Sequence, residues 1–246
     1  MIINPYLFGN FNEYSFLLDG VNEYFQISHN NAMNLSYNTE TTIGGYFRWA
    51  ALGTNSRLIT KRSATGTNDG WEVQKDTSDR IVFILRNGAN TEVLQVRTTS
   101  AVPLNTTDFY HIAIEKPTNS TAANTLIYVN NVSVAVTVVT DTMTSYVYAN
   151  TTTLRIGHNV SGSTYYNGYI TSPYMINKTL TAGERLEVYN SGKPTNIKNT
   201  SLSANLIFQL GTSTNTAQFT WNDVSGNGYD GTSFNMEDAD KTTVIP

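Results

Sequence analysis

The stretch DVSGNGYDG, residues 223–231, sets Asp223, Ser225 and Asn227 at alternate positions ahead of Gly228, the oxygen spacing that opens a calcium-binding loop. Ca²⁺ takes about six to eight oxygen ligands, and an EF-hand loop closes with a bidentate glutamate at its twelfth position. Here that position is Phe234. The same residues fit a turn better: Gly226 and Gly228 supply positive φ, and Asp223 accepts hydrogen bonds from nearby backbone N–H groups. A second stretch, SGSTYYNGY (161–169), brings Tyr165, Tyr166 and Tyr169 close to Asn167 and to Asn159 just upstream. Aromatic faces stack on sugar rings while amides fix hydroxyls, so these residues form the candidate glycan site. The competing reading is that the tyrosines pack inside or line a subunit interface, where Tyr is enriched.

Catalysis finds less support. His29, His111 and His158 lie far apart and lack the spacing of metal ligands. Glu184 and Glu187 fall in a helical window, and EDAD (237–240) reads as a solvated acidic run. The absence of cysteine removes disulfides, thiolate nucleophiles and thiolate metal ligands together, and there is no glycine-rich phosphate loop. No catalytic residue is assigned, and the chain is expected not to be an enzyme.

The elements that must hold these residues follow from composition and pattern. Over 246 residues, 39% are hydrophobic and only 14% charged, which leaves Asn, Ser, Thr and Tyr to cover much of the surface. That balance suits exposed β-sheet. A formal charge of -4 offers no basic stripe to neutralise phosphates, so nucleic-acid binding is not expected. No run approaches the roughly 20 apolar residues that span a bilayer. The opening MIINPYLFGNFNEY lacks the basic and apolar regions of a secretory signal. Neither membrane insertion nor export is therefore expected.

Short apolar or alternating runs separated by turn residues recur at 14–20, 22–27, 43–50, 57–62, 70–98, 109–116, 125–139, 153–157, 165–176 and 205–210. This is the cadence of antiparallel hairpins, and it predicts an all-β, two-sheet sandwich or jelly roll. TAGERLEVYNSGKP breaks the pattern: Thr181 and Glu184 form a capping box, Leu186 and Tyr189 share a face, and Gly192 and Pro194 stop the helix. A short surface helix is predicted near 181–190, then a polar linker over 193–204.

Taken in order, SFLLDGVNEYFQI, IGGYFRWA, GWEVQ, FYHIAIEK, LIYVNNVSV, LRIG, YNGYI and LTAGERLEVYNSGKP resemble the LamG-like jelly rolls of the concanavalin A-like lectin/glucanase superfamily. The resemblance implies two antiparallel sheets packed face to face, with Trp49, Trp71, Phe83, Tyr128 and Phe208 in the core. It makes Asp19 of LLDG the candidate calcium ligand, with Thr171 and Ser172 where relatives often carry acids. The alternating E-x-D-x-x-E of related glucanases, which would place two carboxylates about 5–5.5 Å apart, is missing. In many proteins of that group a segment similar to NLIFQL followed by DVSGNGYDGT precedes the first strand. Here it comes last, so one domain spanning 1–246 is expected, with 205–246 packing back on the sandwich and 205–210 pairing with the N-terminal strand.

The MIINPY opening and the C-terminal block ending in Pro also resemble small virion proteins of tailed bacteriophages. That likeness implies a non-enzymatic tail-fibre, spike or decoration protein, localised in the virion after assembly in host cytoplasm. Its expected partners are other virion subunits, a homotrimer of itself and host-surface glycans. The alternatives are a carbohydrate-binding module of a cellular surface protein and a divergent glycan hydrolase.

Overall fold

The computed structural model describes residues 14–62, 69–87, 91–143, 147–148, 150–159, 164–214 and 220–246. The MIINPY opening, residues 161–163 of the tyrosine stretch and residues 88–90 of the 70–98 run lie outside them. The strands, in chain order, are β1 (Ser15–Asp19), β2 (Tyr24–Ile27), β3 (Leu35–Ser36), β4 (Thr41–Trp49), β5 (Ser56–Arg62), β6 (Gly70–Lys75), β7 (Ile81–Arg86), β8 (Glu92–Thr98), β9 (Tyr110–Lys116) and β10 (Leu126–Val129). They continue with β11 (Val132–Val134), β12 (Val136–Asp141), β13 (Val147–Tyr148), β14 (Leu154–Ile156), β15 (Asn167–Ile176), β16 (Leu206–Thr214), β17 (Thr220–Asp223), β18 (Gly231–Phe234) and β19 (Lys241–Thr242). A helix, α1 (Ala182–Tyr189), stands between β15 and β16.

The first sheet runs β11-β10-β9-β4-β15-β1-β19, antiparallel throughout. The second runs β12-β8-β7-β6-β5-β14-β2-β18-β17-β16, also antiparallel. β16 belongs to both, pairing with β15 at its start and with β17 from Leu210 onward. Period-two alternation aims Trp71, Val73, Phe83, Leu85, Leu94 and Val96 of the second sheet at Phe16, Leu18, Phe47, Trp49, Ile112 and Ile114 of the first, in one apolar core. The fold is thus the expected all-β jelly roll with one short helix, and the five aromatics assigned to the core are all buried.

The central strand β4 is buried on both sides, and Gly44 shows why a side chain is excluded there. A Cβ at this position would lie 2.5 Å from both the Ile112 carbonyl oxygen and the Tyr174 hydroxyl. The space is taken by Tyr174, which meets His111 Nε2 at 3.0 Å.

α1 closes a second apolar cluster on the outer face of the first sheet, comprising Tyr174, Ile176, Leu180, Val188, Ile197, Leu202 and Leu206. The capping box forms as predicted: Thr181 Oγ1 accepts from Glu184 N at 3.3 Å, and Thr181 N donates to Glu184 Oε2 at 2.8 Å. The inward face differs from the prediction, since Leu186 is 57% exposed and Val188 is buried. Arg185, three residues before Val188, takes the neighbouring inward position because its Nη1 donates to both Glu115 carboxylate oxygens at 3.0 Å. The helix fills the predicted range, and the residue that closes it in the left-handed conformation is Asn190 rather than Gly192. Residues 193–204, read from the sequence as a linker, carry two 3₁₀ turns that bury Ile197 and Leu202.

The strand at 205–210 does not pair with the N-terminal strand. β15 is ten residues long and irregular between Thr171 and Tyr174, so its edge offers two places. β1 takes Asn167–Ile170 and β16 takes Tyr174–Ile176. It is β18 and β19 that pair with β2 and β1, and Trp221 of β17 sits 4.7 Å from Phe16 and 4.9 Å from Phe25, ring to ring.

Candidate functional site

The DVSGNGYDG stretch is a turn. Asp223 Oδ1 accepts from Ser225 N and Gln209 N at 3.0 and 3.1 Å, and Oδ2 accepts from Tyr229 N at 3.0 Å and Ser225 Oγ at 2.6 Å. Gly226 and Gly228 hold φ of 89° and 76°. The carboxylate is spent on the turn itself. Asp223→Ala is expected to cost about 2 kcal/mol in urea unfolding, because it strands backbone donors, while EDTA leaves the wild-type midpoint unmoved. A drop on chelation would restore the metal reading.

Asp19 is exposed at the end of β1, where its Oδ1 accepts from Val21 N at 2.7 Å and Asn22 N at 3.3 Å. Its own N–H donates to Glu23 Oε2 at 2.6 Å. The Glu23 carboxyl is raised to about 7, first by burial and further by Asp240 and Asp19. Among the described residues no group of three or more His, Cys, Asp or Glu side chains could hold a metal ion.

The five residues proposed from the tyrosine stretch separate. Tyr165 and Asn167 come together, lining a rim pocket of about 340 Å³ with Gly20, Thr54, Asn55 and Ser56. Tyr166 is wholly buried, its hydroxyl donating to the Tyr169 carbonyl at 3.3 Å, and cannot meet a ligand. Tyr169 stands at a register position facing away from the core on the first sheet, with the Arg48 guanidinium 4.7 Å over its ring. Asn159 is 3% exposed, and its Oδ1 has no hydrogen-bond partner among the described residues. The reason is that the chain leaves the second sheet after β14 and joins the first at β15, so sequence alternation fails across the crossing.

Tyr165 also leads to residues that the sequence reading missed. Its ring is stacked on His158, with centroids 4.1 Å apart and planes at 7°. His158 meets Tyr24 at 5.1 Å, and Tyr24 stacks on Phe234 at 4.7 Å and 3°. Tyr24 and Phe234 alternate with the inward Phe25 and Ser233, which puts this aromatic row on the outer face of the second sheet, ending at the pocket. Arg155 lies over the Tyr24 ring at 4.9 Å. The signal in the sequence was the alternation of NEYFQI, which turns Tyr24 outward as it turns Phe25 in.

No paired carboxylates of glycosidase type accompany the pocket lining. Glu184 caps α1 and pairs with Lys178, and Glu187 accepts from Ser201 Oγ at 3.1 Å. Glu237 and Asp240 cap a short turn reciprocally. His111 is fully buried and held down to about 3 by desolvation.

Two sheets packed face to face, a helix on one outer face and a rim pocket beside an aromatic row define a lectin-like jelly roll. The chain belongs to the concanavalin A-like lectin/glucanase superfamily, with the Laminin_G_3 family model matching residues 19–184. No curated protein matches it. Among solved structures, a Bacteroides ovatus protein described as a carbohydrate-binding candidate gives a TM-score of 0.58 at 14% identity over 89% of this chain, which spans 58% of that longer protein. The CBM40 of the Ruminococcus gnavus IT-sialidase, bound to α2,3-sialyllactose, gives 0.52 at 12% identity over 71% of this chain and 96% of that module. The binding domain of Paraclostridial Mosquitocidal Protein 1 gives 0.50 at 14% identity over 72% of this chain and 46% of that one. At such identities the likeness is one of fold. None of the three is a phage protein, and the virion and homotrimer expectations draw no support from them.

Proposed function

We propose that the chain is a carbohydrate-binding module that holds a saccharide in the rim pocket and along the aromatic row. The observation that carries this reading is the continuous row of ring contacts Tyr165, His158, Tyr24 and Phe234, stacked at both ends and tilted between His158 and Tyr24, partly exposed apart from the buried His158 and ending where Asn55, Thr54 and Asn167 line the pocket. Stacked neighbours fix the ring planes before a ligand arrives, which lowers the ordering cost of binding. Polar side chains at the pocket end supply the donors and acceptors that orient hydroxyl groups. The carbohydrate-binding relatives named above agree with this assignment. Tyr165→Ala and Tyr24→Ala are each expected to weaken binding of a saccharide found on a glycan array by about tenfold, the loss of roughly 1.4 kcal/mol of stacking. Unchanged affinity in both variants, with the melting temperature preserved, would refute the site.

A further inference from the structure

The outer face of the second sheet carries charge as well as aromatics. Its register pairs Arg57 with Gln74, Arg155 with Thr60 and Arg86 with Glu92, places Arg62 opposite Gly70 and sets Arg97 opposite Val82. Five of the chain's eight arginines therefore stand on one face of a protein whose formal charge is -4. The acidic side chains at these register positions are Glu72 and Glu92, so positive charge is in excess.

Three guanidinium groups converge on Glu72, from Arg62 at 3.4 Å, Arg86 at 3.7 Å and Arg57 at 3.9 Å. The Glu72 side chain is 2% exposed, and those of Arg57 and Arg62 are 16% and 12% exposed, so these charges are largely withdrawn from water. A carboxylate has about four acceptor sites, whereas each guanidinium presents about five N–H donors. Nε and Nη1 of Arg57 and Nε of Arg155 are buried without a hydrogen-bond partner among the described residues. Buried charge is normally paired and buried donors normally bonded. An anion seated beside Arg57 and Arg155 would supply both conditions. His158 senses the same field: its imidazole is held down to about 4 by burial, with Arg155 and Arg57 lowering it further.

We infer that this face recognises a carboxylate-bearing sugar, a sialic or uronic acid unit of a glycan whose neutral part stacks on Tyr165 and lies against the exposed edge of Tyr24. The inference rests on the carbohydrate-binding reading and adds the ligand's class. A guanidinium matches a carboxylate bidentately, which gives orientation as well as attraction. The negative net charge and the central Glu72 disfavour an extended polyanion and leave room for a single acidic sugar.

The test is titration calorimetry on the intact chain, comparing sialyllactose with lactose and galacturonic acid with galactose. One acidic member is expected to bind about tenfold or more tightly than its neutral counterpart, and raised salt should shrink the preference. The pair that shows the preference identifies the acid sugar. Arg57→Gln should abolish it while leaving the neutral affinity unchanged. Arg155→Gln, which removes an Nε without a hydrogen-bond partner among the described residues, should likewise lower the ratio of acidic to neutral affinity if Arg57→Gln unfolds the sheet. Equal affinity for acidic and neutral members overturns the inference and leaves the carbohydrate-binding module standing. Absence of binding to any saccharide, acidic or neutral, overturns both.

Discussion

Trp221→Ala is expected to lower the unfolding free energy by about 3–5 kcal/mol, the range for removing a large aromatic from a close-packed core. Trp221 is 1% exposed and lies between Phe16 of β1 and Phe25 of β2, which themselves meet edge to face at 4.7 Å. It is therefore the point at which the last strands lock onto the first two. The rings of Phe16 and Phe25 line the hole that its removal leaves. Urea unfolding followed by tryptophan-independent circular dichroism would give the loss, and hydrogen exchange would show protection falling in β1, β18 and β19 together. A cost below about 1 kcal/mol would mean that the C-terminal strands contribute little to the sandwich.

Each buried histidine should make the protein less stable in acid between pH 6.5 and 4.5, and a substitution should remove its share. His111 is buried against Tyr46 and Tyr174 and held down to about 3 by desolvation, and His158 to about 4. The unfolded chain takes up both protons as pH falls through about 6.5, whereas the folded chain resists them until far lower. Each histidine thus removes about 1.4 kcal/mol per pH unit on the way down. Glu23 acts in the opposite sense: its carboxyl is raised to about 7, so its stabilising share is present below 4.5 and lost as pH rises toward 7. Glu115 and Asp69, also raised by burial, act in the same sense as Glu23, so the share of one histidine is read as a difference between wild type and variant. His111→Gln, which keeps a partner for the Tyr174 hydroxyl, should remove about 1.4 kcal/mol per pH unit of acid sensitivity relative to wild type. Equal pH slopes in wild type and variant would contradict the burial of His111.

The fold was legible because strand alternation and the Thr181 to Glu184 cap are local facts. Neighbouring residues settle them whatever lies across the sheet. The binding face was not, because it is assembled from Tyr24, His158, Tyr165 and Phe234, which only the second sheet's register brings together. Tyr166 misled for a related reason. Three tyrosines close in sequence suggest one patch, but the chain changes sheets there, and one ring enters the core at 0% exposure while another faces out from the opposite sheet. The arginine excess was hidden in the same way, since Arg57, Arg86 and Arg155 are far apart in sequence and share a face only through pairing.

The most direct test is chemical-shift mapping of the isotope-labelled chain with an oligosaccharide it binds. The largest shifts are predicted at Tyr24, Tyr165 and Asn167, on the outer face of the second sheet and the rim pocket, with Tyr169 unmoved. Shifts centred on Tyr169 and Arg48, on the outer face of the first sheet, would contradict the site and with it the proposed mode of binding.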